Sequence, residues 1–488
     1  MVDFTQVPAQ TLVPFVWVEL DASQARPGSG VQPYKLLIIA QMLDSGGSAT
    51  ALTPYLVTSS AGAAGLFGAG SQAHRMAAAV FANQPSVELW MVGMDASGGT
   101  ATTWALDLTG PATGNGTVQL YLGGIRVQTA VASGDSVDTI GGAIAANINA
   151  NANLEVTAAY AANTVTLTAK NKGTAAAEMD VRVNYLQGEE LPAGVGITIN
   201  APTPGATDPD ISTAFAALGD VHYNVLAVPF TDAANLAAIE VELANRVNPD
   251  RQIDMVAIAA TNRSHANLIT LAGTVDNSHM SIMGTWKSPT THWAWAAALA
   301  AQVAFSAQND PALPFQNTTL AGILPPVEVE DFTLLEKELL LAAGIAVFQR
   351  NAAGNAVIGR LVTTYTQTSG GAEDDTYRDL TTALTLAYFR WDLRNQVFKK
   401  FPAHKLASDD ARVAPGSRIV TPRSFKAELV AIGRRWHARG LLEDFETFKS
   451  TVHVERDVAK DPNRLDVFLA PDVVNQLRVV RALLQFRL

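Results

Sequence analysis

Short apolar runs alternate with helical stripes in two separate parts of the chain. In the first part, Leu36 to Ala40 and Val87 to Met94 have the length of buried strands, and Ser71 to Asn83 between them has the spacing of a helix. The rhythm returns after residue 206. The elements predicted there are the strands Val225 to Val228 and Met255 to Ile258 and the helices Ala233 to Arg246 and His292 to Ala307. This alternation favours a mostly parallel, doubly wound α/β core domain over residues 33–97 and 207–335.

Residues 98–206, between these two parts, are predicted to form an inserted, mainly β domain. Apolar residues alternate with polar or small ones around Trp104, Val118 and Val165, as in half-buried strands, and Asn115-Gly116 predicts a hairpin turn. One short helix is also predicted, with Ile140, Ile144 and Ile148 four apart behind the candidate caps Asp135 and Ser136. Breaker residues mark both borders, at Gly98-Gly99 and at Pro202, Pro204, Gly205 and Pro209.

The last third of the chain changes to basic helices followed by strands. Two stripes follow helical steps of four, three and four residues: Leu380, Leu384, Ala387 and Trp391, and Phe425, Leu429, Ile432 and Trp436. Thr421 is a candidate cap before Pro422 as the first helical residue, and Gly440 can end that helix. Phe448, Val452 and Val454 then begin a strand pattern. We therefore predict an α+β domain over residues 336–466.

Both ends of the chain carry apolar, strand-like segments. The first lies in a predicted amino-terminal arm, residues 1–32, and the second in a predicted carboxyl-terminal strand arm, residues 467–488, where a phase shift near Val479 and Val480 fits a β-bulge. The residues predicted to link subunits are Phe15, Trp17, Leu484, Phe486 and Leu488. The residues predicted to form a hinge are Pro27, Gly28 and Gly30.

A strand needs partners for its backbone amides and carbonyls, so each of these two arms must pair with a sheet. If the arms pair within their own subunit, they complete a sheet. If they cross to a neighbour, they add strands to its sheet edge. Because a donor arm and an acceptor edge are different surfaces, that contact is heterologous and repeats into rings or open helical arrays.

Composition narrows the class of protein. The chain has 488 residues, which suggests about three domains, and 48% of them are hydrophobic whereas 16% are charged, which excludes general disorder. It contains no cysteine, so disulfides and thiolate chemistry are excluded. No apolar run approaches the ~20 residues of a membrane span, and the amino terminus has no signal-peptide pattern. We therefore expect no direct membrane insertion and initial residence in the cytoplasm.

Charge is distributed unevenly. Residues 1–340 contain 12 Lys+Arg and 29 Asp+Glu, whereas residues 341–488 contain 22 and 16, which gives the two parts net charges of -17 and +6. The total of -11 argues against a general nucleic-acid binder. Three interpretations stay open: a carboxyl-terminal domain that binds acidic partners, a basic end that meets another copy's acidic flank, and uneven but solvated surfaces.

The glycine-rich segment Gly65 to Ser71 is a candidate nucleotide site. Its glycines have P-loop spacing, but Ser71 stands where the lysine belongs, and the dinucleotide fingerprint fits only with Ala73 in the third place. The preceding run, Pro54 to Val57, is weak as a strand, and no acid for a ribose follows at the right distance. A tight turn with Ser71 as a helix cap is favoured, with a cytoplasmic nucleotide-binding α/β enzyme as the alternative.

Other candidate chemistry is sparse. The eight histidines are His74, His222, His265, His279, His292, His404, His437 and His453. None lies in a zinc-binding spacing, and the acidic run from Glu328 to Asp331 lacks the alternation and central glycine of an EF-hand loop. No G-x-S-x-G motif occurs. Trp293 and Trp295 are predicted to anchor a buried helix against the sheet. We assign no catalytic, cofactor-binding or metal-binding residue.

Several segments resemble contractile phage tail sheath proteins, particularly those of Mu-like phages. Pro33 to Gln41, followed by "GLFGAGS" at Gly65 to Ser71, looks like the opening of that family, and Tyr223 to Asp232 is similar to its core-domain strand. The stretches "TPRSFKAELVAIGRRWHARGLLEDF" and "DPNRLDVFLAPDVVNQLRVVRALLQF" resemble its carboxyl-terminal domain. The matches span most of the chain outside the insert.

The resemblance implies a structural, non-enzymatic role without a cofactor. Such subunits polymerise around a tail tube as stacked rings linked by exchanged arms, and contraction drives the tube through the host envelope. The family's core domain is subtilisin-like in shape, without protease activity. The implied partners are further copies, the tail tube protein, and the baseplate and tail terminator proteins, and the implied location is the virion tail, after assembly in the host cytoplasm. Another virion component, a tube or baseplate protein, is the alternative within the structural class.

Overall fold

The computed structural model describes residues 32–95, 98–412, 414, 417–459 and 461–487. The first unit contains strands β1 (Lys35–Gln41), β2 (Pro54–Val57) and β3 (Glu88–Met94) and helices α1 (Ser60–Phe67) and α2 (Gln72–Asn83). The insert contains strands β4 (Ala101–Thr109), β5 (Gly116–Leu122), β6 (Ile125–Val131), β7 (Val156–Ala161), β8 (Thr164–Lys172), β9 (Val181–Val183) and β10 (Gly196–Ile199) and helix α3 (Val137–Ala150).

The chain then returns to the first unit. The elements there are α4 (Ser212–Leu218), β11 (Val225–Ala227), α5 (Ala233–Val247), β12 (Val256–Thr261), α6 (His265–Ala272), β13 (Met280–Gly284), α7 (His292–Asn309), α8 (Leu334–Ala342), β14 (Ile345–Arg350) and β15 (Ala356–Arg360). The carboxyl-terminal elements are α9 (Leu380–Lys400), β16 (Lys405–Leu406), β17 (Ile419–Val420), α10 (Pro422–Ala438), α11 (Phe445–Thr451), β18 (His453–Glu455) and β19 (Asp466–Phe468).

The main sheet is mostly parallel and doubly wound. Within the described residues its eight strands have the order β15-β14-β13-β12-β11-β1-β3-β2, and only the outermost pairs, β15 with β14 and β2 with β3, are antiparallel. The prediction of a mixed, multidomain α/β chain is thus confirmed. The sheet also continues through β14 and β15, past residue 335, where the sequence had ended the core domain.

Both faces of the sheet are covered, which explains why its central strands are apolar without alternation. In β1, Leu36 and Ile38 pack into one core with α2 and α7, whereas Leu37 and Ile39 pack into the other core with α5 and α6. Trp295 of α7 is completely buried and donates to the Ser288 hydroxyl at 2.8 Å. Its predicted role as an anchor of a buried helix is confirmed.

The insert is mainly β, and its helix α3 is capped by Ser136, whose hydroxyl accepts a hydrogen bond from the Thr139 amide. The predicted hairpin turn at Asn115-Gly116 is wrong. β4 pairs with β8 and β10, whereas β5 pairs with β6 and β9, so no hairpin joins β4 to β5. The tight hairpin lies instead between β5 and β6 at Gly123-Gly124, where φ is +56° and +84°, as a primed two-residue turn requires.

The carboxyl-terminal helices have their own core, in which the Trp436 ring stacks on Phe389 at 4.3 Å and donates to the Asp392 carboxylate at 2.8 Å. α10 begins as predicted, with Thr421 as cap and Pro422 in its first turn. The predicted start of the next strand, at Phe448, is wrong. Phe448 and its neighbours form α11, because Phe448 packs into the groove at Gly433 of α10, and the strand β18 begins only at His453.

Two neighbouring glycines of α3 give a matched test of this packing. A Cβ on Gly141 would overlap the Tyr160 ring, which its bond to Asp138 holds in place, whereas a Cβ on Gly142 would meet nothing within 4 Å. We expect Gly141→Ala to destabilise the chain by ~1–3 kcal/mol through overpacking, and Gly142→Ala to stabilise it by ~0.5–1 kcal/mol through helix propensity. Thermal unfolding of both variants checks this. Equal shifts would contradict the packing of α3 on β7.

Candidate functional site: a closed sheet edge and an open carboxyl-terminal segment

The carboxyl edge of a doubly wound sheet is where such folds bind their ligands. In this chain the insert covers that edge. Asn171 Nδ2 donates to the Met42 carbonyl, just beyond β1, at 3.0 Å, and Gln41 Nε2 donates to the Lys172 carbonyl at 2.9 Å. These bonds fasten the end of β8 across the end of β1.

Glu178, from a 3-10 turn of the insert, closes the same edge beside β12. Its carboxylate accepts hydrogen bonds from the Thr261 hydroxyl at 2.7 Å and the Asn262 amide at 3.0 Å, and from Arg263 Nε at 2.7 Å. Burial raises the pKa of Glu178, but His292 and Arg263 outweigh burial, so the pKa of this carboxyl is lowered overall. The carboxylate therefore stays ionised, in the place that an anionic ligand of such a fold would take.

A second insert carboxylate, Glu155, is buried against α2 and α7. Its Oε1 accepts a hydrogen bond from Trp293 Nε1 at 2.6 Å, and its Oε2 lies 3.9 Å from Arg75 Nε. Burial raises the pKa of Glu155 to about 7, because it outweighs the attraction of Arg75 and the bond from Trp293. The junction between insert and core thus contains a carboxyl group that titrates near neutral pH.

The glycine-rich segment does not form a phosphate cradle. Gly65 lies inside α1, and Gly68 and Gly70, with φ of +90° and +77°, turn the chain into α2, whose cap is Ser71. A Cβ on Gly70 would overlap the Leu154 carbonyl, so the insert fills the space above this turn. The turn-and-cap interpretation is confirmed. The preceding run Pro54–Val57, which the sequence had rated weak, is the edge strand β2.

Three of the histidines contact backbone carbonyls. His222, His292 and His437 each lie within 3.1 Å of a backbone carbonyl. Across the residues that the structure describes, no group of three His, Cys, Asp or Glu side chains is placed to hold a metal ion. In the same residues, no helix combines the length and apolarity needed to cross a membrane.

The chain beyond β19 first runs back along its own body. Val473 forms an antiparallel bridge with Leu442, Gln476 Nε2 donates to the Ala312 carbonyl at 2.8 Å, and Arg478 lies 3.1 Å from the Asp379 carboxylate. Asp379 also holds Arg360 through two bonds of 2.9 Å. The path of the chain is therefore fixed up to Arg478.

The last described residues, 479–487, which we call the terminal segment, lie open to solvent. Leu484 and Phe486 are 91% and 76% exposed, and Val479, Val480 and Leu483 are exposed as well. The structure assigns no strand to this segment, so the strand and bulge predicted there do not form within the single chain. The other predicted linking and hinge residues, Phe15, Trp17, Leu488, Pro27, Gly28 and Gly30, lie outside the described residues.

A short sheet with open edges lies at the root of this region. β18 and β19 are antiparallel and, in the described part of the chain, form a sheet of only two strands. Val467 and Phe468 of β19 are exposed. A two-stranded sheet is marginal alone, and its outer edges present backbone groups that can pair with another chain.

Sequence reasoning missed the two insert carboxylates and the two-stranded sheet. Glu178 and Glu155 belong to no motif, because their partners lie far away in the chain, in β12, α2 and α7. β18 and β19 have only three residues each, too few for a pattern of alternation to be visible. The only available signal was the apolar alternation after residue 448, which marked the region but not the pairing.

Comparisons with known proteins give one consistent result. Two family models match: that of the phage tail sheath protein central domain over residues 204–364 and that of the phage tail sheath C-terminal domain over residues 372–487. The Mu-like prophage FluMu tail sheath protein of Haemophilus influenzae is 36% identical over 486 residues, 99% of each chain.

Solved structures show the same fold at low sequence identity. A chain of the anti-feeding prophage baseplate has a TM-score of 0.51 at 11% identity and covers 98% of this chain and 100% of its own. A chain of the contracted sheath complex of an extracellular contractile injection system has a TM-score of 0.50 at 10% identity and covers 98% of each chain.

The buried carboxyl group at the core–insert junction predicts a pH effect on stability. The pKa of Glu155 in the folded protein, about 7, exceeds the ordinary value of 4.5, so the folded chain binds more protons than the unfolded chain between these values. Its stability contribution is therefore largest at low pH and decreases as the pH rises through this window. Glu155→Gln keeps an acceptor for Trp293 but does not titrate, so its thermal unfolding temperature should fall less from pH 4.5 to about 7.

Glu190→Gln is the matched control, because Glu190 is exposed on the same insert. This variant should keep the wild-type dependence of the unfolding temperature on pH. Parallel curves for wild type and Glu155→Gln would show that Glu155 does not titrate in this range.

Proposed function

The chain belongs to the phage tail sheath proteins, and we propose that its copies polymerise around a tail tube by lending their terminal strands to neighbours. As a member of this family it is a structural, contractile component of the phage tail and not an enzyme. Sheath subunits associate with one another in a helical array, and the fold is shared with a contracted sheath. The closed carboxyl edge of the main sheet agrees with the absence of catalysis.

The single observation that carries the proposal is the terminal segment. Five large apolar side chains, Val479, Val480, Leu483, Leu484 and Phe486, are exposed in one stretch of nine residues. Exposed apolar surface of this extent marks an interaction site rather than a solvated tail. Because Arg478 is tied to Asp379, the stretch starts from a fixed point and can reach a neighbour in a defined direction.

The two-stranded sheet β18–β19 supplies the acceptor. Its edges offer unpaired backbone groups, and the exposed Phe468 and Val467 offer apolar contacts to an added strand. A terminal segment from a neighbour would extend this sheet by backbone hydrogen bonds, with alternate side chains setting the register. Donor and acceptor are different surfaces, so each copy both gives and receives, and the array grows.

The amino-terminal arm completes the linkage in this proposal. Phe15 and Trp17 would join the same sheet from a second neighbour, and Pro27, Gly28 and Gly30 would form the hinge. Backbone pairing suits a moving array, because strands can stay hydrogen-bonded while a short linker reorients. The links would therefore survive contraction.

Contraction would release free energy stored during assembly. Growth from the baseplate along the tube would hold the subunits in an extended array behind a kinetic barrier. A trigger at the baseplate would free the first ring, and the arms would pass the movement to the next ring. The tail terminator would end the array, and assembly would take place in the host cytoplasm. The tube would then be driven through the host envelope.

Removal of residues 479–488 tests the donor role. The truncated chain keeps Arg478 and the sheet β18–β19, so we expect a folded monomer that forms no tubes of its own. Because it retains the acceptor, it should also shorten wild-type tubes when added in small amounts. Electron microscopy measures tube length, and thermal unfolding confirms that the body is intact. Tubes of normal length from the truncated chain alone would refute the proposal.

Substitution of two linker glycines tests the hinge. Gly28→Pro with Gly30→Pro fixes φ at both positions, so we expect tubes to form but to contract in a smaller fraction after a trigger. Gly28→Ser with Gly30→Ser retains more freedom and serves as the control. Electron microscopy of extended and contracted tails counts the two states. Equal contraction in both variants would place the hinge elsewhere.

A further inference from the structure

An unpartnered apolar face lies on α8, the helix that packs on β14 of the main sheet. Leu334, Leu335 and Leu339 are exposed on this helix, and Val329 is exposed in the short turn before it. The helix itself is well defined, since Thr333 and Glu336 form a reciprocal capping box at its start. We call this surface the α8 face. Four exposed large apolar side chains this close together on an ordered element point to a binding surface.

An acidic groove of about 1140 Å³ adjoins the α8 face. Glu338, Leu341 and Ala342 of α8 form one of its walls, and α6 and the loop after β15 form others. Six carboxyl groups line the groove against two guanidinium groups. The carboxyl groups are those of Glu240, Asp276, Glu338, Glu373, Asp374 and Asp375, and the guanidinium groups are those of Arg360 and Arg378.

Asp374 and Asp276 are held by neutral donors, so their charge is not cancelled, whereas Asp375 is paired with Arg378 at 3.5 Å. Asp374 accepts hydrogen bonds from the hydroxyls of Thr376 and Tyr365, which lower its pKa to about 2, and Asp276 accepts from the Thr366 amide at 2.7 Å. Arg360 is already bound to Asp379 outside the set. The surface next to the α8 leucines is therefore both apolar and negative.

The same chain carries the complementary surface. Residues 390–440 contain twelve Lys+Arg and four Asp+Glu, a net charge of +8. Among the described residues of this stretch, Phe398 is the exposed large apolar side chain, at 64%, and it lies near the end of α9. Arg394 lies one turn earlier, with its guanidinium 5.8 Å from the centre of the Phe398 ring, and Lys399 and Lys400 are exposed beside it. We call these four residues the α9 tip.

We propose that the α9 tip of one copy docks on the α8 face and acidic groove of a second copy. Phe398 with its stacked Arg394 is the kind of anchor that dominates interfaces, an aromatic ring with a guanidinium on its face. The leucines of α8 would cover the ring, and Glu338 and Glu373 would meet the surrounding cations. The contact is heterologous, so it can repeat along the same array as the exchanged arms. It rests on the proposed sheath function, and it names a second contact between copies.

Charge reversal on both surfaces gives the decisive experiment. Glu338→Lys with Glu373→Lys should raise the critical concentration for tube formation at least tenfold, and Arg394→Glu with Lys399→Glu should do the same. A chain that carries all four reversals restores opposite charges at the contact and should return to within about threefold of wild type. Sedimentation and electron microscopy measure assembly in purified protein at low salt, where surface charges are least screened.

Matched controls separate charge and shape effects. Glu190→Lys with Asp250→Lys reverses the same number of exposed charges elsewhere and should leave the critical concentration unchanged. Phe398→Ser and Leu335→Ser should each raise it, whereas Val241→Ser, at an exposed apolar side chain of α5, should not. All seven substituted chains should unfold at the wild-type temperature, because the altered side chains are exposed.

Each outcome decides one proposal. If wild-type protein forms no tubes, the sheath proposal fails. If wild type forms tubes and the four-reversal chain shows no rescue over the two-reversal chains, the α8–α9 contact is wrong. If the α9 variants form tubes by themselves as wild type does but no longer bind a tail tube, the α9 tip faces the tail tube. That result would refute the proposed contact between copies.

Discussion

The need of every sheet edge for a partner governs this structure. The main sheet meets this need internally at its β15 edge, where residues 317–320 run alongside with backbone bonds such as Ile358 N–H to the Thr318 carbonyl at 2.9 Å. The insert closes its carboxyl ends through Asn171 and Glu178. The outer edges of the sheet β18–β19 have no such partner in the described part of the chain, and neither does the terminal segment. These unpartnered strand edges therefore lie in the carboxyl-terminal region, where backbone groups are open to pairing with another copy.

Sequence patterns predicted the parts of the fold that local physics determines. Ser71, Pro422 and Gly440 mark helix ends through their own backbone geometry, and the apolar runs of β1 and β3 reflect burial on both faces. Asn115-Gly116 failed because a turn signal does not say which strands will pair. Phe448 failed because its place is set by the gap at Gly433, some fifteen residues earlier in the chain. Tertiary packing determines both the strand pairing near Asn115-Gly116 and the helical conformation of Phe448.

The candidate site was predictable only as a region. The apolar residues of the terminal segment could be found from sequence, because they lie close together in one short stretch. Glu178 and Glu155 could not, because a buried carboxylate is recognised by its partners, and Arg263 and Trp293 are remote in sequence. The resemblance noted above lies outside the insert, yet the insert fills the sheet edge. The sheet edge at which doubly wound folds bind ligands is in this chain a contact between the core and the insert.

The bond between Arg478 and Asp379 has a mechanical meaning. Asp379 precedes the first residue of α9, a helix of 21 residues and thus about 30 Å long. Under the proposed exchange of arms, tension on the terminal segment would reach the subunit at this carboxylate, and Phe398 lies near the opposite end of the helix that begins there. A pull on the terminal segment would then displace the far end of α9, about 30 Å away, as a lever transmits force between its two ends.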